Sequence, residues 1–209
     1  MKTQSFLLLT IISCICIILT SGKPTSSINL KRTQIGNQIW SIENLNVSIF
    51  GNGDIIPEAK SKVAWEKACK EGRPAWCYYN ESQSNGDKYG KLYNWYAVHD
   101  VRGLAPKGWH IPTYAEFGTL INYLGKEAGN KMKMGPEWNG NNNSGFSALP
   151  SGFRNVDGTF ADSGQHGYFW TSAEPDGKNA LNFELSNSAE VTQVSSWKSE
   201  GLSCRLLKD

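Results

Sequence analysis

The spacing of apolar residues predicts an amphipathic helix in the middle of the chain. Thr113 and Glu116 have the spacing of a capping box at its start, and Gly125 suits its C-terminal cap. Between these signals, apolar side chains recur at i, i+3, i+4 and i+7, so they share one face. These side chains are Phe117, Leu120, Ile121 and Leu124. The pattern therefore predicts a helix over Tyr114–Leu124.

Weaker patterns predict a second helix and a first strand. Ser61 can cap a helix over residues 62–70, which Gly72 and Pro74 would end. Residues 35–42 alternate in part between apolar and polar side chains and are rich in strand-forming types, so they are predicted to form one strand. Residues 85–87 (NGD) are predicted to form a turn.

The rest of the chain alternates between short strand-like runs and loops. Residues 138–145 (WNGNNNSG) contain four Asn and two Gly, which predicts a long surface loop. The runs typical of strands are 152–154, 168–172, 180–185, 191–194 and 202–207. Together these elements predict an α+β domain with a small antiparallel sheet, one or two helices and long loops.

The first residues have the composition of a secretory signal peptide. Lys2 precedes an apolar run over residues 6–19, and small residues follow at 20–22. We therefore expect a signal peptide at 1–22, a flexible leader at 23–34 and one domain at 35–209. This arrangement predicts a secreted or cell-envelope protein.

A lipid anchor is the alternative to free secretion. Residues 11–14 (IISC) resemble a bacterial lipobox, in which Cys14 would be acylated after cleavage. The apolar run continues past Cys14, which favours an ordinary signal peptide instead. We expect membrane association only if Cys14 carries a lipid.

The charge balance argues against nucleic acid as a partner. The chain has 21 basic and 19 acidic residues, a formal net charge of +2, and no cluster of Lys or Arg. Binding to phosphates requires a basic surplus or stripe, which this sequence lacks.

Three of the five cysteines lie beyond the expected signal peptide: Cys69, Cys77 and Cys204. In an oxidising compartment two of them would form a disulfide, and three pairings are open. We favour Cys77–Cys204, because both residues lie in predicted buried strands and the bond would close a long loop. Three cysteines without a CxxC motif do not form a zinc pattern, so no metal site or cofactor is expected.

Seven peptides in order resemble one bacterial family. They are 35–40 (IGNQIW), 76–79 (WCYY), 89–98 (YGKLYNWYAV), 105–113 (APKGWHIPT), 144–150 (SGFSALP), 167–172 (GYFWTS) and 201–205 (GLSCR). Together they resemble the Fibrobacter succinogenes major paralogous domain family over nearly the whole expected domain.

This resemblance implies an exported, often surface-attached protein with a fold similar to the C-type lectin and formylglycine-generating-enzyme group. It supports the Cys77–Cys204 pairing, because the family pattern has a Cys at both places. It carries no agreed biochemical activity. The chain departs from the pattern at Cys69, an extra thiol, and mildly at Thr171, Leu202 and Leu206.

Two local motifs are interpreted as structural. Glu174-Pro175-Asp176 is similar to part of the calcium motif of C-type lectins, but Lys198 stands where a second set of oxygen ligands is needed. His110 has no nucleophile signature nearby, so we expect it to fix the turn before the helix. No catalytic residue is predicted.

The sequence thus predicts a non-catalytic binding module that recognises an unknown carbohydrate or a surface protein. The expected ligand surface combines an exposed aromatic ring with amide groups: Trp138, Asn141, Asn142 and Asn143. One alternative is a polysaccharide hydrolase that uses a carboxylate pair. Its candidate carboxylates are Glu116, Asp157, Asp162 and Glu184. The third hypothesis is a structural component of the cell envelope.

Overall fold

The computed structural model describes residues 30–209, so the expected signal peptide and Cys14 lie outside the described residues. Within this range the chain forms five α-helices: α1 (Lys62–Lys70), α2 (Gln83–Tyr89), α3 (Trp95–Val98), α4 (Tyr114–Leu124) and α5 (Ala128–Met132). Short 3-10 turns lie at Tyr79–Glu81 and Pro136–Trp138. None of the helices between residues 30 and 209 has the length and apolar character needed to cross a bilayer.

Twelve strands lie in the same described range. They are β1 (Arg32–Ile35), β2 (Gln38–Ser41), β3 (Trp76–Cys77), β4 (Leu92–Asn94), β5 (Trp109–His110), β6 (Ser151–Arg154), β7 (Phe160–Ser163), β8 (Gly167–Trp170), β9 (Asn179–Leu185), β10 (Val191–Trp197), β11 (Gly201–Leu202) and β12 (Leu207–Lys208).

The strands build two sheets, so the predicted α+β class is confirmed. The smaller sheet has the order β1-β2-β12-β5. The larger has the order β10-β9-β8-β6-β11-β4-β3, and β7 pairs with β6. The pairing of β6 with β8 is parallel, whereas the other strand pairs are antiparallel. The expected single small antiparallel sheet is therefore too simple.

Both helices predicted from the sequence are present with their predicted ends. The Thr113 side chain accepts a hydrogen bond from the Glu116 backbone, and the Glu116 side chain accepts one from the Thr113 backbone, which completes the capping box of α4. Ser61 caps α1 by accepting from the Ala64 N–H at 3.1 Å. These ends depend on nearby residues, which is why local sequence predicts them.

Two local predictions are corrected. Residues 35–42 do not form one strand, because the chain reverses at Gly36, whose φ is +60°, and makes the hairpin of β1 and β2. Residues 32–34 of the expected leader belong to this hairpin. Residues 85–87 lie inside α2 and are not a turn, since a Cβ at Gly86 would lie 2.3 Å from the Tyr78 ring. Packing against Tyr78 therefore fixes a helix where the sequence indicates a turn.

The C-terminal segment joins the two sheets. The predicted strand 202–207 divides into β11 in the larger sheet and β12 in the smaller one. Between them, the Cys204 carbonyl accepts a hydrogen bond from Leu45 N–H at 2.9 Å. Residues 201–207 are all buried. The residues that connect β11 to β12 therefore lie between the two sheets, and they include Arg205.

Candidate functional site

A groove with a volume of about 440 Å³ lies where three separate parts of the chain meet. The first wall is the segment after β2, which contains Glu43, Asn44 and Asn46. The second wall is the C-terminal end of α2. The third is the turn around Ser147, and Arg205 lies at the base. We call this the Arg205 groove.

Arg205 is only 1% exposed, and neutral oxygens hold its guanidinium. Nε donates to Asn44 Oδ1 at 2.7 Å, and Nη1 donates to the carbonyls of Ser41 and Phe146 at 2.9 and 2.6 Å. Nη2 donates to the Ser147 carbonyl at 2.8 Å. Burial lowers the pKa of Arg205 to about 9, although the charge of Glu43 acts in the opposite direction.

Asn142 shapes the third wall. Its Oδ1 accepts a hydrogen bond from the Ser147 N–H at 2.8 Å, and its Nδ2 donates to Ser147 Oγ at 3.0 Å. Ser147 has a φ of +58°, a left-handed conformation that is unfavourable for a residue other than Gly, Asn or Asp. The two bonds hold this conformation, in which the Ser147 carbonyl accepts from Arg205.

Close contact between backbones forms the junction of the first two walls. A Cβ at Gly90, where φ is +74°, would lie 3.1 Å from Asn44 Cβ and from the Leu45 carbonyl. Asn44 Nδ2 donates to the Tyr89 carbonyl at 2.8 Å, which satisfies an acceptor at the end of α2. Glycine at position 90 therefore lets α2 end directly against Asn44.

Several polar groups around the rim are free to bind a ligand. Lys88 Nζ lies 4.8 Å from the centroid of the Tyr89 ring and has no carboxylate partner within residues 30–209. Asn46 Oδ1 accepts from Lys91 Nζ at 2.6 Å, which leaves the Asn46 amide N–H groups without a partner in the described part of the chain. Asp87 Oδ1 accepts from Gln83 Nε2 at 2.9 Å.

Trp138, the aromatic residue of the expected ligand surface, is not exposed. Trp138 is 1% exposed and lies in a core cluster, and its Nε1 donates to the Gln165 carbonyl at 2.6 Å. Asn141 and Asn143 are exposed, but Asn142 is half-buried and acts through Ser147 on the Arg205 groove. The Asn-rich loop therefore supports the groove and presents no aromatic platform through Trp138.

The four candidate carboxylates lie in three separate regions of the structure. Glu116 caps α4 and bonds His110 Nε2 at 3.1 Å, and Asp157 accepts from Thr159 in an exposed turn. Asp162 and Glu184 come together around His166 and Tyr168. His110 also contacts Asp209 at 2.7 Å, so it links α4 to the end of β12 as well as fixing the turn.

The second polar cluster surrounds Tyr168. The Tyr168 hydroxyl donates to Asp162 Oδ2 at 2.8 Å, and His166 Nδ1 hydrogen-bonds the Glu184 carboxylate. Burial, followed by the Asp162 hydrogen bond and the charges of Glu184, Asp162 and Glu200, raises the pKa of Tyr168 well above its ordinary value. Burial also raises the pKa of Glu200. Sequence reasoning named Asp162 and Glu184 but missed Glu200.

Lys198 occupies the position facing the lectin-like tripeptide. It is buried, its ammonium lies 4.7 Å from the centroid of the Trp95 ring, and it forms an ion pair with Glu174. Asp176 Oδ1 accepts from the backbone N–H groups of Lys178 and Asn179, both at 2.7 Å. In residues 30–209 no group of three or more His, Cys, Asp and Glu side chains is arranged to hold a metal ion.

The expected Cys77–Cys204 disulfide is not formed, and Cys69, Cys77 and Cys204 are all buried thiols. Strand geometry gives the reason, because alternate side chains point to opposite faces of a sheet. Cys77 packs in one core cluster with Cys69, whereas Cys204 packs in another with Tyr93 and Leu202. The larger sheet therefore separates Cys77 from Cys204. Burial raises the pKa of Cys69 to about 11 and that of Cys77 to about 12.

No local sequence pattern identifies the groove residues as a site. Asn44, Tyr89 and Arg205 are far apart in the chain, and no local spacing connects them. Tyr89 and Arg205 do belong to peptides that carry the family resemblance. That resemblance was the available signal, but it did not show that these residues meet.

Comparison with known proteins gives one match. The family model described as Fibrobacter succinogenes major domain matches residues 33–208. The matched region spans all the strands and helices described above from Thr33 to Lys208, including every wall of the Arg205 groove apart from Lys31 at its rim. No curated protein and no solved structure matches the chain.

Proposed function

We propose that this chain, which belongs to the Fibrobacter succinogenes major domain family, is an exported, non-catalytic module that binds carbohydrate in the Arg205 groove. The observation that carries the proposal is the set of free polar groups around one concave surface. Asn46 offers amide donors, Asp87 a carboxylate acceptor and Lys88 an ammonium. Sugar hydroxyls both donate and accept, so they need such a mixed set.

The shape of the groove supports the same conclusion. Its volume of about 440 Å³ lies in the range of small-ligand sites, which are commonly about 300–1,000 Å³. Tyr89 lines the groove, although the residue is only 9% exposed. Met134 and Leu149 add apolar surface on the opposite wall. Apolar walls with a few placed polar groups are typical of ligand-binding sites.

Export and fold relationship form part of this proposal. The composition of residues 1–22 supports secretion, and Cys14 is the candidate lipid attachment site if the protein is anchored. The α+β architecture is compatible with a C-type-lectin-like domain, as the family resemblance implies. A protein partner on the cell surface is the alternative ligand.

Hydrolysis of polysaccharide is the second candidate function. The convergence of Asp162, Glu184 and Glu200 around Tyr168 favours it, because a glycosidase needs two carboxyl groups in different protonation states. The raised pKa of Glu200 would suit a general acid. Release of reducing sugar that E200Q and E184Q abolish, but that groove variants retain, would support hydrolysis over simple binding.

A glycan array with matched variants tests the main proposal. The wild-type protein should bind a defined subset of glycans, and K88Q, which removes a cation from the groove, should weaken that binding. N143A is the matched control, since Asn143 is exposed on the Asn-rich loop and does not line the groove. An array without binding, or binding that K88Q leaves unchanged, would refute the proposal. In that case, capture of a specific envelope protein would support the alternative ligand.

A further inference from the structure

We infer that the ligand of the Arg205 groove carries a carboxylate, and specifically that it is a polysaccharide containing uronic acid. This inference rests on the proposed function, because it names the ligand class of the same groove. It starts from two buried arginines, Arg154 and Arg205, which differ in their partners.

Arg154 and Arg205 are equally buried but are neutralised differently. Arg154 is fully buried and pairs with Glu81 through Nη2 at 3.0 Å. Arg205 forms no ion pair with any carboxylate in residues 30–209. Glu43 is close enough to raise the pKa of Arg205, but its carboxylate bonds Lys31 at 2.7 Å. A buried charge without an opposite charge is unfavourable, so the groove favours an anion near Arg205.

Arg205 also retains hydrogen-bonding capacity. A guanidinium has five N–H groups, and four of those of Arg205 donate to protein oxygens. The second Nη2–H has no acceptor in the described part of the chain. A hydrogen bond between a guanidinium and a carboxylate is stronger than one between neutral groups. A carboxylate at the base of the groove would therefore gain more from Arg205 than a hydroxyl would.

The remaining charges of the groove favour the same sign of ligand. Lys31, Lys88 and Arg205 are its cations, and Glu43 and Asp87 are its anions. Lys31 and Glu43 neutralise each other. Asp87 keeps its charge, because its partner Gln83 is neutral, so the three cations of the groove exceed its two anions by one charge. Lys88 has no carboxylate partner, so Lys88 and Arg205 are the cations available to a ligand. Both line the same cavity.

The size of the cavity indicates how the anion is presented. A volume of about 440 Å³ exceeds what a small inorganic anion needs and suits one or two sugar residues. A uronic acid residue places its carboxylate on the sugar ring itself. One residue of such a polymer can therefore contact the cations and the amide groups of the rim together.

The test compares two probes with the same sugar chain, one with charged carboxylates and one with neutral methyl esters. Oligogalacturonides of one length are prepared as free acids and as methyl esters, and their binding is measured by calorimetry. The free acid should bind about tenfold more tightly, as expected for a charge-assisted contact to a buried guanidinium, and added salt should weaken it. K88Q should weaken binding of the free acid about two- to fivefold, the contribution of an exposed ion pair.

Two variants that change the charge of the groove in opposite directions should change the affinity in opposite directions. E43Q removes an anion from the groove and should strengthen binding of the free acid, whereas K88Q weakens it. K60Q is the matched control, because Lys60 is an exposed lysine that does not line the groove. Arg205 itself is not substituted, since its hydrogen bonds hold the core.

The outcomes separate this inference from the proposed function. Equal binding of acid and ester, or binding of neutral glycans alone, would overturn the inference and leave carbohydrate binding intact. Binding of the free acid that is unaffected by K88Q and E43Q would place the anion outside the groove and would also overturn it. Failure of every glycan on the array would refute both.

Discussion

Asn142 holds Ser147 in a left-handed backbone conformation through one hydrogen bond to its N–H and one to its hydroxyl. The Ser147 carbonyl then accepts from Arg205. A residue of the Asn-rich loop thus positions one of the four acceptors that hold the buried Arg205 guanidinium. The loop that the sequence suggested as a ligand surface contributes to the candidate site as a support.

Removing the Asn142 side chain should therefore destabilise the fold and alter the groove. We expect N142A to lower the free energy of unfolding by about 1–2 kcal/mol, since two hydrogen bonds are lost. Urea denaturation measures this loss. N143A, whose side chain has no hydrogen-bond partner in the described residues, should stay within about 0.5 kcal/mol of the wild type. Equal effects of N142A and N143A would contradict the supporting role of Asn142.

The three thiols should be present and unreactive in the native protein. Burial raises the pKa values of Cys69, Cys77 and Cys204, and the thiolate is the reactive form. We expect no labelling by a thiol reagent at pH 8 in native protein that lacks residues 1–22. After denaturation without reductant, we expect three labelled thiols. If only one thiol were labelled, two cysteines would form a disulfide, and peptide mapping would then identify the pair.

The capping box of α4 should make part of the stability depend on pH. Burial alone would raise the pKa of Glu116, but hydrogen bonds from the Thr113 backbone and hydroxyl and contacts with His110 lower it below its ordinary value. A lowered pKa in the folded state means that the stabilisation is present above the unfolded pKa of about 4.3. It is lost as the pH falls through the folded value.

Replacing Glu116 should remove this pH dependence. We expect E116Q to lose about 1 kcal/mol at pH 7, as for other helix caps, and to show a shallower loss of stability than wild type between pH 5 and pH 3. Thermal unfolding at several pH values provides the measurement. The exposed Glu190 supplies the control E190Q, which should follow the wild-type profile. Parallel profiles for E116Q and wild type would rule out this role of Glu116.

Replacing the buried Lys198 should lower the free energy of unfolding more than replacing its partner Glu174. Lys198 is buried against the Trp95 ring, whereas the Glu174 side chain is 40% exposed. We expect K198A to destabilise the protein by about 1–3 kcal/mol through loss of packing and of the cation–π contact. We expect E174A to destabilise the protein less than K198A, because the Glu174 side chain is partly exposed and loses less packing. The exposed Lys178 provides the control K178A, and a K198A variant as stable as K178A would disprove the prediction.

The elements predicted correctly from the sequence are those that local residues determine. The α4 helix has its apolar face, its capping box and Gly125 within one continuous stretch. The α1 helix likewise begins at its Ser61 cap. Such signals act over one or two helical turns, so a single sequence is sufficient to identify them.

The features that the sequence did not predict depend on distant contacts. Helix α2 forms where NGD indicates a turn, because Gly86 packs against the Tyr78 ring. Trp138 and Cys77 are buried in different core clusters, and tertiary packing decides which cluster each side chain enters. The Arg205 groove combines Asn44 with Arg205, which are separated by 161 positions. No local pattern contains this information.

Residues 201–208 complete both sheets, so neither sheet can be completed before these residues are synthesised. Strand β12 lies between β2 and β5, so residues 30–200 can form neither the complete smaller sheet nor the base of the groove. A ribosome delivers residues 201–208 only after all of these, and until then the surfaces that Leu206 and Leu207 cover face water. Until β12 pairs, the incomplete chain exposes apolar surface that chaperones can bind. The protein therefore completes its fold only when residues 201–208 have joined both sheets.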